Sequence, residues 1–152
     1  MEAKVDELAY YAGLFDGEGC IHIARIHTKK RHLTYQLVCR VSMYSLSVLE
    51  DLKSQFGGSI YCEKNHPISN KYGLLWSWSL FSIGAKNFLS QVQPYLRIKR
   101  PQCELALQFQ EAKSNRTRTG TWGSNPKTDA ELAIEEAQYI LMRNLKKEFS
   151  YV

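Results

Sequence analysis

Two pairs of strand-like segments, each joined by a turn, restrict the fold of this chain more than any other feature. The first pair covers Cys20 to His27 and about Thr34 to Ser42, and the second covers Ser59 to Lys64 and about Leu74 to Ile83. Strands joined by short turns pair antiparallel, because a parallel pair needs a long crossover. Helical segments precede each pair and follow the second. The order predicts an α+β domain with helices on one face of an antiparallel sheet.

Apolar residues at helical spacing predict five helices outside these strands. Ser45 or Ser47 is expected to cap the second helix, and Thr128 and Glu131 have the spacing of a capping box at the start of the last. We predict a core domain over residues 1–113, with a polar loop and C-terminal helix at 114–152 in the same domain. The helices are expected at Asp6 to about Gly17, Ser45 to Phe56, about Ala85 to Gln93, Pro101 to about Lys113, and Thr128 to about Phe149.

Charge and cysteine content narrow the classes of function. Lys and Arg outnumber Asp and Glu by 20 to 15, an excess that favours a polyanionic partner only where it is clustered. The four cysteines lack the spacing of a zinc site, so we expect free, buried thiols. The acidic N-terminal segment resembles neither a signal nor a transit peptide. We expect a protein that is cytoplasmic, nucleoid-associated or encoded in an organelle, and not secreted.

Gly13 and Gly17 lie four residues apart, on one face of the first predicted helix. Glycine inside a helix costs about 1 kcal/mol relative to alanine, so this pair indicates close approach by a second helix. The alternative is a helix that frays at a glycine-rich turn.

Asp16 and Glu18 fall at the C-terminal end of the same helix. The helix dipole disfavours anions there, and a bound Mg²⁺, which prefers oxygen ligands, would compensate. The alternative is an ordinary turn, for which Asp-Gly-Glu-Gly is a common composition.

The segment Tyr11-Ala-Gly-Leu-Phe-Asp-Gly-Glu-Gly19, followed by Cys20-Ile21, resembles the LAGLIDADG motif of homing endonucleases and related intron maturases. Tyr11 and Glu18 are the departures, and Glu18 keeps the carboxylate. The segments Phe56–Gly58, Trp76–Trp78 and Gln93–Lys99 also resemble family segments, so the likeness spans about residues 7–112. It implies the αββαββα endonuclease fold, with a saddle-like antiparallel sheet and, here, extra C-terminal helices.

The resemblance implies a metal-dependent endonuclease that makes double-strand breaks in DNA with Mg²⁺ or another divalent ion such as Mn²⁺. Glu18 matches the metal-binding carboxylate, and the Gly17 carbonyl matches a further metal ligand. Lys99 matches a basic residue near the active site, and Asp16 matches an acid that orders the helix end. Met43 stands where relatives often place a polar residue beside the attacking water.

Because the chain carries one motif, the resemblance to single-motif members of the family implies a C2 homodimer joined through the motif helices, and a long, roughly palindromic DNA site. The residues expected at that contact are Ala12, Gly13, Asp16 and Gly17. Two alternatives share the fold: an intron maturase, which would bind its host intron RNA, and a DNA-binding regulator without cleavage. The retained Glu18 argues against the regulator.

A basic turn between the first two strands suggests the DNA-binding surface; the alternative is a solvated turn without a partner. With polar residues on the strands beside it, this turn suits a β-ribbon in the major groove, with Lys64 and Lys71 extending the surface. Arg25 shares a face with Ile21 and Ile23, so it reaches DNA only through a β-bulge; without a bulge, His22 and Ala24 face the groove. Trp76 and Trp78 are expected in the core. The candidate DNA contacts are His22, Ala24, Arg25, Lys29, Lys30, Arg31, Gln36, Arg40, Lys64 and Lys71.

Overall fold

The first helix leads into the sheet without a connecting loop. The computed structural model describes residues 2–29, 32–64, 73–115 and 127–148. Helix α1 (Glu2–Glu18) buries Tyr11, Ala12 and Phe15 against the sheet, and strand β1 begins at the next residue, Gly19. A Cβ atom at Gly19 would stand 2.2 Å from Cδ2 of Phe15 and 2.6 Å from its carbonyl oxygen. The direct passage from helix to strand therefore requires glycine.

Four antiparallel strands form one sheet in the order β1-β2-β4-β3. The strands are β1 (Gly19–His27), β2 (Leu33–Met43), β3 (Ser59–Cys62) and β4 (Trp76–Phe81). β1 and β2 pair continuously from Gly19 opposite Val41 to His27 opposite Leu33. Because side chains alternate along a strand, this register decides which residues face which side of the sheet.

One face of the sheet carries the core, and Trp78, Tyr35 and Leu37 are among its largest fully buried side chains. Trp78 donates an indole hydrogen bond to the Gly57 carbonyl at 2.8 Å, and the partly buried Trp76 packs against the same core, so the expected placement of both is confirmed. Three helices and a short 3-10 turn pack on this side, as the sequence predicted. They are α2 (Leu46–Phe56), α3 (Ser82–Val92), the turn Gln93–Tyr95, and α4 (Arg100–Ser114).

The other face, here called the open face, carries mostly small and polar side chains. From the register, its members on β1 and β2 are Cys20, His22, Ala24, Ile26, Thr34, Gln36, Val38, Arg40 and Ser42, and those on β3 and β4 are Ser59, Tyr61, Ser77, Ser79 and Phe81. Polar residues on strands whose opposite faces are packed by helices indicate a surface for a polar partner.

The last helix, α5 (Asp129–Glu148), packs along β1 and against α4. Its capping box is confirmed: the Glu131 amide donates to Oγ1 of Thr128 at 3.2 Å, and the Thr128 amide donates to the Glu131 carboxylate at 3.1 Å. Met142 enters the hydrophobic core with 1% of its surface exposed. This helix is therefore packed onto the sheet edge.

Several element ends differ from the sequence predictions. α1 begins at Glu2 and not at Asp6, because no breaker precedes the apolar pattern. α3 begins at Ser82 and not at Ala85; Ser82 has a φ of 51° where β4 turns directly into the helix. Ser45 occupies the N-cap of α2 without a capping hydrogen bond, and instead contacts the Ser47 hydroxyl at 3.3 Å.

The four cysteines are free thiols, and Cys39 and Cys103 are buried, as expected. None of the helices in the described ranges is long and apolar enough to cross a membrane.

Candidate active site and nucleic-acid interface

Glu18 stands at the C-terminal end of α1 with its side chain exposed. Within the described part of the chain, its carboxylate takes part in no hydrogen bond or ion pair. The last four carbonyl groups of a helix lack partners within the helix and carry partial negative charge. A carboxylate without a hydrogen-bond partner among the described residues makes the end of α1 a centre of negative charge that suits a cation.

The Asp16 side chain points toward the interior of its own chain. Its carboxylate accepts backbone hydrogen bonds from Arg97 at 2.8 Å and from Lys99 at 3.0 Å, and 9% of the residue is exposed. These bonds fasten the segment before α4 to the end of α1. Asp16 thus orders the helix end, as the resemblance implied, and its carboxylate is engaged within its own chain and not at the expected dimer contact.

Lys99 supplies a cation to the end of α1, which has no basic residue in its own last turn. Its Nζ donates a hydrogen bond to the Asp16 carbonyl oxygen at 2.5 Å. Burial lowers the pKa of the Lys99 ammonium, and the nearby negative charges of Asp16 and Glu18 oppose that shift. Lys99 therefore lies at the helix end close to Glu18, and the two side chains together form the candidate active centre.

Lys146 reaches the same region from α5, although no sequence pattern singles it out. Its Nζ lies 3.0 Å from Sγ of Cys20, the second residue after Glu18. Burial lowers the pKa of His22 to about 4, and the positive charges of Lys146 and Arg40 add to this shift, so His22 is neutral at neutral pH. A lysine near the end of a separate helix has no local sequence signal that would connect it with the motif.

The donors at this centre are suited to a hard divalent cation. The described residues contain no group of three or more His, Cys, Asp or Glu side chains that could hold a metal ion. One chain therefore offers the Glu18 carboxylate and the carbonyl groups at the helix end, including that of Gly17. Mg²⁺ fits such a set, because it commonly binds through one or two carboxylates and keeps waters and phosphate oxygens as its other ligands.

Met43 lies on the helix-covered side of β2, opposite Trp76, and packs against the hydrophobic core. Its thioether is therefore part of the packing at the end of β2.

The open face carries the polar residues that the sequence assigned to DNA contact on β2. The Arg40 Nε donates to the Ser79 hydroxyl at 3.3 Å, and the guanidinium lies 5.9 Å from the ring centre of Tyr61. Gln36 pairs with Ala24 on the same face. Here β2 is paired with a strand on each side, so its backbone is fixed. The contacts with Ser79 and Tyr61 hold the Arg40 side chain on the open face.

Arg25 corrects the sequence prediction. The pairing of β1 with β2 is uninterrupted, so Arg25 lies opposite Tyr35 on the helix-covered face. Its guanidinium binds the Glu136 carboxylate at 2.9 Å and lies 5.0 Å from the ring centre of Tyr139. Arg25 therefore fastens α5 to the sheet and is not a DNA contact, whereas His22 and Ala24 take the open face, as expected for a strand without a bulge.

The other candidate DNA contacts are at the ends of the hairpins. Lys29 and Lys64 are exposed. Lys30, Arg31 and Lys71 lie outside the described residues.

The opposite side of α1 is uncovered. Gly13 and Gly17 are exposed, and a Cβ atom at either would meet no atom of the described residues within 4 Å. The glycines are therefore not required by packing within the monomer. Gly13 adjoins a surface cleft whose walls include Pro94 and Arg97. Ala12, which we had placed with them at the dimer contact, is instead fully buried in the core of its own chain.

Comparison with known proteins agrees with this geometry. Residues 11–77 match the family model described as LAGLIDADG endonuclease. Among curated proteins, no sequence relative matches. The chain is similar in structure to the homing endonuclease I-CvuI in complex with DNA, with a TM-score of 0.76 and 18% identity over 94% of this chain and 83% of that chain.

Two other solved structures are also similar. The archaeal intron-encoded homing endonuclease I-Vdi141I, complexed with DNA, matches with a TM-score of 0.60 and 12% identity over 92% of this chain and 96% of that one. The LAGLIDADG homing endonuclease I-SmaMI, bound to cleaved DNA, matches with a TM-score of 0.66 and 15% identity over 87% of this chain and 42% of that one.

The four-stranded antiparallel sheet, the helices on one of its faces and the acid-bearing end of α1 define an α+β protein with the LAGLIDADG homing endonuclease fold. Over residues 11–77 the chain is similar in sequence to the LAGLIDADG endonuclease family, and its fold is that of the solved homing endonucleases.

Proposed function

We propose that this protein is a site-specific homing endonuclease that makes double-strand breaks in DNA by metal-dependent hydrolysis of phosphodiester bonds. The observation that carries the proposal is the exposed Glu18 carboxylate at the end of α1, without a partner among the described residues and close to Lys99. Cys20, the second residue after Glu18, already belongs to the open face. A duplex bound on that face would bring its backbone to the acid.

The end of α1 would hold the divalent ion through Glu18 and the Gly17 carbonyl. When bound, the ion supplies charge neutralisation at the phosphate and lowers the pKa of the attacking water. Lys99 adds a positioned positive charge for the negative charge that develops on the phosphate. Asp16 holds Lys99 in place through the backbone of the segment before α4.

The open face would read sequence in the major groove. Arginine pairs with guanine and glutamine with adenine through two hydrogen bonds each, and Arg40 and Gln36 stand on this face. The exposed lysines at the hairpin ends, Lys29 and Lys64, would meet phosphates, which bind without regard to sequence.

A second copy of the chain would complete the enzyme. One chain contributes a single Glu18, and cutting both strands requires two such centres. The uncovered face of α1 allows two copies to meet at Gly13 and Gly17, because helices approach most closely where side chains are absent. A C2 dimer built in this way would read two half-sites of a roughly palindromic target.

The proposal is tested by replacing the acid at the end of α1. We expect Glu18→Gln to reduce cleavage by roughly a hundredfold or more, the size expected from loss of one essential electrostatic group, while DNA binding is retained. The substrate is a plasmid bearing a site that the wild-type protein selects from a randomised library with Mg²⁺, and binding is measured with Ca²⁺ instead. Glu7→Gln, an exposed acid on the same helix, is the control and should cut normally.

Normal cutting by Glu18→Gln would remove Glu18 from the reaction. A wild-type protein that binds duplex DNA but never cuts with Mg²⁺ or Mn²⁺ would instead be a regulator. Binding restricted to structured RNA would identify a maturase.

A further inference from the structure

Helix α5 is fixed against the edge strand β1 at both ends of their contact. At one end Glu136 accepts hydrogen bonds from Arg25 and from the buried Tyr35 hydroxyl. At the other, Lys146 approaches Cys20, and Met142 between them lies in the core. The position of Lys146 is therefore set by the packing of the whole helix.

Lys146 and Lys99 place two positive charges beside one exposed acid. Lys146 lies 3.0 Å from Cys20, two residues before His22 on β1, and after burial its charge is a further cause of the lowered pKa of both His22 and Lys99. His22 is neutral there, so among the described residues Lys99 and Lys146 are two cationic side chains close to the end of α1, with Arg40 further along the open face. A phosphate that approached the end of α1 would be attracted by both positive charges.

We propose that Lys146 is a second phosphate-binding lysine of the endonuclease, contacting a DNA phosphate next to the cleaved bond. The inference rests on the proposed function and deepens it, because it assigns part of the active centre to the C-terminal helix. Cys20 is the first open-face residue after the acid at the end of α1. Lys146, which contacts Cys20, therefore stands where the backbone of a duplex on the open face would reach the acid. A lysine is a compact point charge that suits a single phosphate oxygen.

The test compares Lys146→Gln with Lys147→Gln, which removes an exposed lysine from the adjacent position of the same helix. Each phosphate that a protein neutralises contributes about −0.9 to the slope of log K against log salt concentration. We expect Lys146→Gln to make that slope shallower by about 0.9, and single-turnover cleavage to slow by roughly tenfold or more. Lys147→Gln should change neither, and Lys146→Arg should restore the slope.

Neutral methylphosphonates, placed one at a time within two nucleotides of the cleaved bond, identify the phosphate. One of them should weaken binding by the wild-type protein and by Lys147→Gln, but not by Lys146→Gln. All duplexes carry the site selected by the wild-type protein, and binding is measured with Ca²⁺.

The inference is overturned if Lys146→Gln and Lys147→Gln share one salt slope and one cleavage rate, or if every methylphosphonate weakens both variants alike. It is also overturned if Lys146→Gln only lowers the urea midpoint while the salt slope stays at the wild-type value. In each of these cases a wild-type protein that still cuts leaves the proposed function intact. A wild-type protein that neither binds nor cuts DNA removes both.

Discussion

Gly19 joins α1 to β1 at the point where the Phe15 ring and carbonyl leave no room for a side chain. The backbone at Gly19 sets the position of the Glu18 carboxylate, because Glu18 is the last residue of α1 and Cys20 already lies in β1. A shift of Gly19 would move Glu18 relative to Lys99 and to the open face.

We predict that Gly19→Ala lowers the free energy of unfolding by about 1–3 kcal/mol, the usual cost of overpacking. Gly84→Ala is the control, because its Cβ would meet only Cδ2 of Leu80 at an ordinary 3.6 Å inside α3. That change should be neutral or should stabilise by up to about 1 kcal/mol. Urea unfolding of the two variants measures the difference, and equal midpoints would show that Phe15 moves aside without cost.

Helix α1 uses its two sides differently. One side buries Ala12 and Phe15 in the core, and the other leaves Gly13 and Gly17 uncovered. A helix whose exposed side carries glycine gives up about 1 kcal/mol of helix stability at each one. A contact with a second copy of the chain would offset that loss.

We predict that Gly13→Leu leaves the monomer folded, because an added Cβ meets none of the residues that the structure describes within 4 Å. The dimer should weaken by about 1–3 kcal/mol from overpacking, which is roughly a fivefold to 150-fold rise in Kd. Sedimentation equilibrium measures the change. Asn87→Leu, which adds an exposed leucine on α3, is the control and should dimerise normally. An unchanged Kd for Gly13→Leu would place the contact elsewhere on the molecule.

At the scale of the whole molecule, α5 packs against the first hairpin, which β1 and β2 form. Burial and the hydrogen bond to Glu136 raise the pKa of Tyr35 to about 12, so the hydroxyl stays protonated and remains a donor. Arg25 binds the same carboxylate at 2.9 Å. These contacts support the prediction that the C-terminal helix belongs to the same domain as the core.

We predict that Glu136→Ala lowers the free energy of unfolding by about 1–3 kcal/mol, because the buried Tyr35 hydroxyl loses its acceptor. Glu148→Ala, at an exposed position, should stay within about 0.5 kcal/mol of the wild type. Replacing Trp122 by Phe leaves Trp76 and Trp78 in the sheet as the fluorescent tryptophans. In that background, circular dichroism and tryptophan fluorescence should report one transition in urea. If helix signal is lost before fluorescence changes, α5 is a separate unit.

Local pattern was sufficient to predict the order and type of the elements. Alternation along β2 placed Gln36 and Arg40 on one face and Leu37 and Cys39 on the other, and the register agrees. The capping box at Thr128 was correct for the same reason, since both of its bonds join residues three apart. The starts at Asp6 and Ala85 were wrong, because no breaker precedes the apolar pattern of α1 and because β4 turns directly into α3 at Ser82.

By itself, the sequence determined the α+β order, the acid at the end of α1 and the small residues on its outer side, because each depends on spacing within one element. Only the tertiary structure decided that Arg25 binds Glu136, 111 residues away, and that Lys146 stands beside Cys20, 126 residues away. The tertiary structure also buries the side chains of Asp16 and Ala12 within their own chain. The rotation of a helix and the docking of a distant one depend on the packing of all the elements together, and no local pattern carries that information.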